Sequence, residues 1–165
     1  MEQTLIYQYV LFIGIAIGTA SLIRKHIFFL TRVSSYSMVP TLQPKDLLFT
    51  LRIHDFQTIR RGDILVFYSD ELQDTLVKRV IGLPEDVVSI DDDGAVSVNQ
   101  TELDEPYVDY PSRSDGRFEV PPNNYLFLGD NRAASHDSRS FADPFIHEGK
   151  IRGKVLFSIF PFHLL

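Results

Sequence analysis

Two residues whose chemistry can be combined, a serine and a lysine, lie in distinctive stretches of this sequence. Ser37 belongs to SSYSMVPTL (residues 34–42), in which Pro40 restricts the backbone. Lys78 belongs to LVKRVI (residues 76–81), a β-branched run typical of a strand. A hydroxyl is a weak nucleophile until a base removes its proton, and a desolvated lysine amine can be that base near neutral pH. The pair indicates nucleophilic catalysis, provided that the fold brings the two side chains together.

Each stretch taken alone also has a simpler, structural interpretation. Side chains alternate between the two faces of a strand, so one of Lys78 and Arg79 faces inward. Arginine stays charged in almost any environment, which makes Lys78 the better candidate for a base. Two cations whose stems lie along apolar surface would give the same pattern. Ser37, likewise, fits an ordinary serine-rich turn at the start of a strand.

A histidine mechanism is also suggested, because His136 stands between Ser135 and Asp137. Neighbours in sequence on a strand or turn point apart, however, and a Ser-His-Asp triad needs all three side chains to converge. We therefore expect His136 to be dispensable for catalysis.

Composition narrows the possible functions. The chain has 165 residues, 44% of them hydrophobic, which suffices for one domain and an appendage. Its net charge of −6 argues against nucleic acid as a partner. The absence of cysteine excludes disulfides, thiolate zinc sites and a cysteine nucleophile. The five histidines lack metal-site spacing, and the acidic run at 91–93 reads as a solvated turn. We expect no metal and no cofactor.

The chain starts with an apolar stretch, residues 5–23, that contains no charged residue. As a helix it would span about 28 Å, close to the ~30 Å of a bilayer's hydrocarbon core. A cleavable signal peptide is an alternative, since Gly18-Thr19-Ala20 offers a small-x-small site, but the start lacks basic residues and the run is long. A buried helix of a soluble protein is a third interpretation. We predict a single membrane anchor and juxtamembrane segment over residues 1–32.

The charges around this span suggest an orientation. Arg24, Lys25 and Arg32 follow it, whereas only Glu2 and the amino terminus precede it. Taken alone, the positive-inside rule would leave the rest of the chain in the cytoplasm.

The remainder, residues 33–165, has the pattern of a mainly β domain. Short β-rich runs alternate with polar or Pro/Gly breaks, which predicts a compact barrel-like or coiled sheet. Residues 99–124, with several prolines, read as a loop-rich excursion. The predicted strands are 46–53, 62–68, 75–83, a hairpin over 87–98 that turns at Asp93-Gly94, 125–130 and 153–162.

Several blocks, taken in order, closely resemble those of the type I signal peptidases. Members of that family are Ser/Lys membrane proteases that remove signal peptides from exported proteins. The short region between the blocks is similar to the bacterial Gram-positive form. The blocks are SYSMVPTL (35–42), RRGDILVF (60–67), VKRVIGLPED (77–86), LDEPYV (103–108) and LGDNRAASHDSRSF (128–141).

This resemblance implies a role for each matching residue. Ser37 would be the catalytic nucleophile and Lys78 its general base. The hydroxyl of Ser35 would join the backbone N–H of Ser37 in the oxyanion hole. The resemblance also assigns three supporting residues: Ser135 would orient the lysine amine, while Asp137 and Arg139 would form a nearby ion pair.

The resemblance further implies the fold, the partners and the location. The fold would be a signal-peptidase-like coiled β-sheet with one N-terminal transmembrane helix. Its partners would be membrane lipid and preproteins that carry signal peptides, cut after small-x-small sites. The catalytic domain would lie on the extracytoplasmic face of the cell membrane, in conflict with the charge bias around the span.

Three related classes remain as alternatives. A chaperone-like relative in surface-fibre assembly would be expected to have lost the serine or the lysine, and this chain has both. Self-cleaving repressors share the Ser/Lys chemistry but carry a DNA-binding domain in place of a membrane span. A mitochondrial inner-membrane peptidase of the same superfamily is compatible with the composition, although the blocks are bacterial in character.

Overall fold

The computed structural model describes residues 2–164, which form an N-terminal helix followed by twelve strands in two antiparallel sheets. The predicted mainly β class is confirmed. The elements are α1 (Glu2–His26), β1 (Phe28–Arg32), β2 (Leu47–Arg52), β3 (Ile64–Ser69), β4 (Asp74–Gly82), β5 (Val87–Ile90), β6 (Val96–Val98), β7 (Thr101–Glu102), β8 (Gly116–Glu119), β9 (Asn124–Leu128), β10 (Phe145–His147), β11 (Ile151–Phe160) and β12 (Phe162–Leu164).

The larger sheet has the strand order β1-β2-β11-β3-β4-β9-β10, and β12 pairs with β11. The smaller sheet has the order β7-β6-β5-β8. Strand β4 is central to the larger sheet because it pairs with β3 over residues 74–79 and with β9 over residues 79–82. The first half of β4 therefore keeps one edge free of β9.

Apolar side chains between and beneath the sheets form the core. Phe67 on β3 and Phe127 on β9 are fully buried, and their rings stack with centroids 4.3 Å apart. A second cluster joins β4 and β9 to the smaller sheet. A third lies under the turn that connects β1 to β2 and includes Met38 and Leu42. The turn that carries Ser37 is thus anchored in the interior.

Most of the predicted strands are present. The predicted segments correspond to β2, β3, β4, the β5–β6 hairpin, β9 and β11. At the hairpin turn Gly94 has a positive φ of 89°, and the Asp91 carboxylate accepts the backbone N–H groups of Asp93 and Ala95. Strands β1, β7, β8, β10 and β12 were not predicted. Strand β1 lies in the segment predicted as juxtamembrane, and the other four have only two to four residues each. Two of these, β7 and β8, correct the prediction that residues 99–124 are a loop-rich excursion without strands.

Helix α1 is attached directly to the larger sheet. Within its residues Ile6–His26 an 18-residue window has a mean hydropathy of 1.8, so this helix is long and apolar enough to cross a membrane. The last carbonyls of a helix lack partners within it. Here Arg52 Nε donates to the Arg24 carbonyl (3.1 Å), and His54 Nε2 lies 2.7 Å from the His26 carbonyl. Side chains from β2 and the loop after it therefore cap the end of α1.

Stacking in the core provides a test of the fold. Phe127→Ala is expected to lower the free energy of unfolding by about 3–5 kcal/mol, because it leaves a cavity beside Phe67. The matched control is Phe160→Ala, whose side chain is 75% exposed. It should change the free energy by less than about 0.5 kcal/mol. Urea unfolding in detergent, followed by near-ultraviolet circular dichroism, measures both; equal effects would contradict the described core.

Candidate active site

Ser37 lies in the turn between β1 and β2, on a backbone that is held from two sides. Met38 is 1% exposed and fixes the turn to the core beneath it. From above, Asn131 donates its backbone N–H to the Ser37 carbonyl (3.0 Å) and its side-chain amide to the Tyr36 carbonyl (3.2 Å). The Thr41 hydroxyl donates to Asp130. The serine is therefore positioned by the segment that follows β9.

Lys78 projects from β4 into the interior and is only 3% exposed. Its Nζ donates a hydrogen bond to Ser135 Oγ at 3.1 Å. Burial lowers the pKa of Lys78 from 10.5 to about 8, an effect that Asp137 opposes and Arg139 assists. A substantial fraction of this amine is thus neutral near physiological pH, as a general base requires.

Asp137 and Arg139 form a buried ion pair next to the lysine. Arg139 Nε and Nη2 donate to the two carboxylate oxygens of Asp137, each at 2.9 Å. Asp137 also accepts the backbone N–H of Gly129 at 2.9 Å. Burial acts to raise the pKa of Asp137, but these hydrogen bonds and the Arg139 charge hold that pKa below its usual value. The carboxylate therefore stays ionised and fixes the strand end that carries Gly129.

Ser35, Ser37 and Lys78 line one cavity of about 130 Å³, between segment 31–38 and residues 74–78. The Ser35 and Ser37 hydroxyl oxygens are 3.1 Å apart. In the described structure Lys78 is hydrogen-bonded to Ser135 and makes no hydrogen bond to Ser37. Catalytic hydrogen bonds commonly shorten only when substrate binds. All six site residues predicted from the sequence thus lie in or beside this cavity.

A second charged network was not predicted from the sequence. Arg79 Nε and Nη2 donate to both oxygens of Asp130 at 2.8 and 2.6 Å. The Arg79 guanidinium also lies 3.9 Å from the ring centroid of Tyr107. Burial would lower the pKa of Arg79, but Asp130 raises it, so the arginine stays charged. Strand alternation therefore places one cation of the Lys78-Arg79 pair in the site and the other in its support.

The loop-rich excursion supplies the rest of that network. Tyr107 donates its hydroxyl to Glu105 at 2.8 Å, and burial raises the tyrosine's pKa. Glu105 forms a two-point ion pair with Arg132, at 2.6 and 3.0 Å, and Arg132 Nε donates to the Gly129 carbonyl at 3.1 Å. The signal in the sequence that could have indicated this network was the LDEPYV block. Its Glu105 pairs with Arg132 of the later GDNR block.

His136 has partners other than the candidate nucleophile. Its Nδ1 lies 3.0 Å from Ser140 Oγ, and its Nε2 is 3.7 Å from Glu71 Oε1. The side chain is half exposed. This geometry agrees with the expectation that Ser135, His136 and Asp137 do not form a triad.

The chemistry of this site indicates a class of enzyme, and comparisons with known proteins show its family. A serine hydroxyl and a buried lysine amine that open on one cavity indicate an enzyme that acts through a serine nucleophile. The chain belongs to the signal peptidase family, peptidase S26, whose sequence model matches residues 6–160. The predicted family and enzyme class are thereby confirmed.

The relatives are similar over most of their length. Signal peptidase I of Bacillus caldolyticus is 37% identical over 164 residues, covering 90% of this chain and 88% of the relative. Signal peptidase I S of Bacillus subtilis (strain 168) is 35% identical, covering 92% and 87%. The crystal structure of a signal peptidase I from Enterococcus faecalis V583 matches with a TM-score of 0.53 at 29% identity, covering 61% of this chain and 98% of the other.

Gly129 gives a test of how the site is assembled. A Cβ at this position would collide with the Ser37 carbonyl and with Ser135 Oγ, the hydrogen-bond partner of Lys78. Gly129→Ala is therefore expected to lower kcat/KM by about a hundredfold, as small misplacements of reacting groups do. The measurement is cleavage of a short peptide substrate in detergent.

Gly14→Ala is the matched control, because nothing lies within 4 Å of a Cβ there. It should leave kcat/KM unchanged. Circular dichroism of both variants verifies that the fold persists. Full activity in Gly129→Ala would contradict the close approach of the Ser37 carbonyl and Ser135 Oγ to Gly129.

Proposed function

We propose that this chain removes N-terminal signal peptides from exported preproteins, and that it does so with a Ser37/Lys78 dyad. The relatives named signal peptidase I support the substrate class. The observation that carries the mechanism is the buried Lys78 amine, with its lowered pKa, on the same cavity as the Ser37 hydroxyl.

In the proposed reaction, the neutral Lys78 amine takes the Ser37 proton as Oγ attacks the carbonyl carbon of the scissile bond. The ammonium then gives that proton to the leaving amine, the C–N bond breaks, and an ester to Ser37 remains. Water, deprotonated by the same amine, attacks the ester and releases the signal peptide with a free carboxylate. A positioned base of this kind typically contributes about 10²–10⁴-fold to the rate.

The four other site residues have proposed supporting roles. The Ser35 hydroxyl, 3.1 Å from Ser37 Oγ, would join the Ser37 backbone N–H in stabilising the oxyanion. Loss of one such donor typically costs about 2.7–4 kcal/mol of transition-state stabilisation. The hydrogen bond from Lys78 to Ser135 would orient the amine, while the Asp137–Arg139 pair would hold the surrounding backbone.

The cavity also suggests how substrate binds. Strand β1 pairs with β2 alone in the described chain, and residues 74–78 of β4 have no β9 partner. An extended peptide could therefore add its backbone to strand edges on both sides of the cavity. A cavity of about 130 Å³ can accept the side chains of the substrate nearest the cut. In the proposed reaction these are the small residues of a small-x-small sequence.

Anchoring by α1 is the remaining part of the proposal. The helix would span the membrane within residues 1–32, and residues 33–165 would form the catalytic domain on the extracytoplasmic face, where preproteins present their cleavage sites. The basic residues after the span oppose this orientation by the positive-inside rule. At the outer surface Arg24 and Lys25 would meet lipid head groups.

Substitution at the dyad tests the proposal directly. A secreted precursor is co-expressed with wild type, Ser37→Ala, Lys78→Ala or His136→Ala in cells that lack other peptidases of this kind. Wild type and His136→Ala are expected to yield mature protein, whereas the two dyad variants should leave the precursor uncut, because nucleophile or base is missing. A gel separates the two forms. Equal processing by Ser37→Ala would remove the proposal.

The pH dependence tests the identity of the base. Only the neutral amine accepts a proton, so the lowered pKa of about 8 predicts that activity is present at higher pH and lost as pH falls. With chemistry limiting, kcat/KM should rise about tenfold per pH unit below 8 and level off above it. His136→Ala should show the same profile, which would exclude His136 as the titrating group. A flat profile from pH 6 to 9 would contradict a lysine base.

A further inference from the structure

A second cavity lies between the end of helix α1 and strand β1. Its volume is about 520 Å³, and its walls are mostly apolar. We call it the α1–β1 groove. Ile23, Phe28 and Phe29 are only half buried there, and Leu30 is 51% exposed. The lining residues are Ala20, Ile23, Arg24, Phe28, Phe29 and Leu30.

Strand β1 connects this groove to the active-site cavity. Residues 28–30 line the groove, and the next two residues, Thr31 and Arg32, line the cavity that contains Ser37. Strand residues rise about 3.3 Å each, so the two sites follow one another within roughly 10 Å along β1. A peptide extended along the free edge of β1 would reach both.

The two walls of the groove are tied together. The Arg52 side chain donates to the Arg24 carbonyl of α1 and lies 4.7 Å from the Phe29 ring centroid of β1. The backbone N–H of Arg52 also donates to the Ile27 carbonyl between them (2.8 Å). The groove is therefore formed before any substrate arrives, which lowers the entropic cost of binding.

Position and composition together point to one occupant. A signal peptide has an apolar core of about 7–15 residues that precedes a small-residue cleavage site. When the core lies in the membrane beside α1, residues approaching the cut run in the direction of β1, from Phe28 towards Ser37. We propose that the α1–β1 groove binds the C-terminal part of the signal peptide's apolar core. This inference rests on the proposed function.

The acyl chain of a membrane lipid could also occupy the α1–β1 groove, and two experiments distinguish it from the signal peptide. The first experiment compares two substrates in detergent: a precursor with a complete signal peptide, and a short peptide that starts three residues before the cut. Only the precursor can fill the groove. The measured quantity is the ratio of kcat/KM for the precursor to kcat/KM for the short peptide.

Ala20→Trp fills the groove and is expected to lower that ratio about tenfold, equivalent to about 1.4 kcal/mol of binding. The matched control is Leu22→Trp, on the same turn of α1 but outside the groove and 61% exposed. It should leave the ratio at the wild-type value. An unchanged ratio in Ala20→Trp would overturn the groove proposal. Cleavage of the short peptide by Ser37→Ala would instead overturn the proposed function.

A second experiment identifies the occupant without relying on rates. Photoreactive benzoylphenylalanine replaces Ile23 or, as the control, Leu22 in the Ser37→Ala background, with precursor and lipid vesicles present. Illumination should join position 23 to the apolar core of the precursor and join position 22 to lipid. Adducts with lipid alone at both positions would show that the groove holds an acyl chain and would overturn the proposal.

Discussion

The desolvation of one amine is the constraint on which the rest of the site depends. The difference between 10.5 and about 8 in the pKa of Lys78 corresponds to roughly 3 kcal/mol against burying its charged form. Since the folded state binds this proton less tightly, the cost is fully present below pH 8 and disappears above about 10.5, where the unfolded chain has also lost the proton. The fold must supply that free energy at working pH.

That free energy comes from the elements packed around β4. The strand pairs with β3 over residues 74–79 and with β9 over residues 79–82, next to stacked Phe67 and Phe127. The paired charges of Asp137 and Arg139 act in opposite directions on the amine, since Asp137 raises its pKa and Arg139 lowers it. Burial is then the dominant influence, and it favours the neutral amine. The ion pair gives the site a rigid wall without forcing the lysine to stay charged.

Much of this architecture could be predicted from the sequence, and the exceptions have physical reasons. The long β-rich runs and the Asp-Gly turn predicted most strands. Such strands can be recognised because apolar and polar residues alternate along a half-buried strand. Strand β1 could not be recognised, since its residues FFLTR lie in the segment predicted as juxtamembrane and only pairing with β2 makes them a strand. The identities of Ser37 and Lys78 followed from their blocks, whereas their shared cavity depends on pairing across more than forty residues. The Glu105–Arg132 and Arg79–Tyr107 contacts join distant loops, which no local pattern encodes.

The capped end of α1 has a consequence for the length of substrate that such an enzyme selects. A single residue, Ile27, separates α1 from β1, and Arg52 contacts both, so the domain has little freedom to swing about the helix. For a helix fixed in a bilayer, β1 then sets the distance between the lipid boundary and the active site. Its five residues rise about 16 Å towards Ser37. Substrates would be selected by the length of chain between their lipid-embedded part and the bond to be cut, as well as by side-chain size.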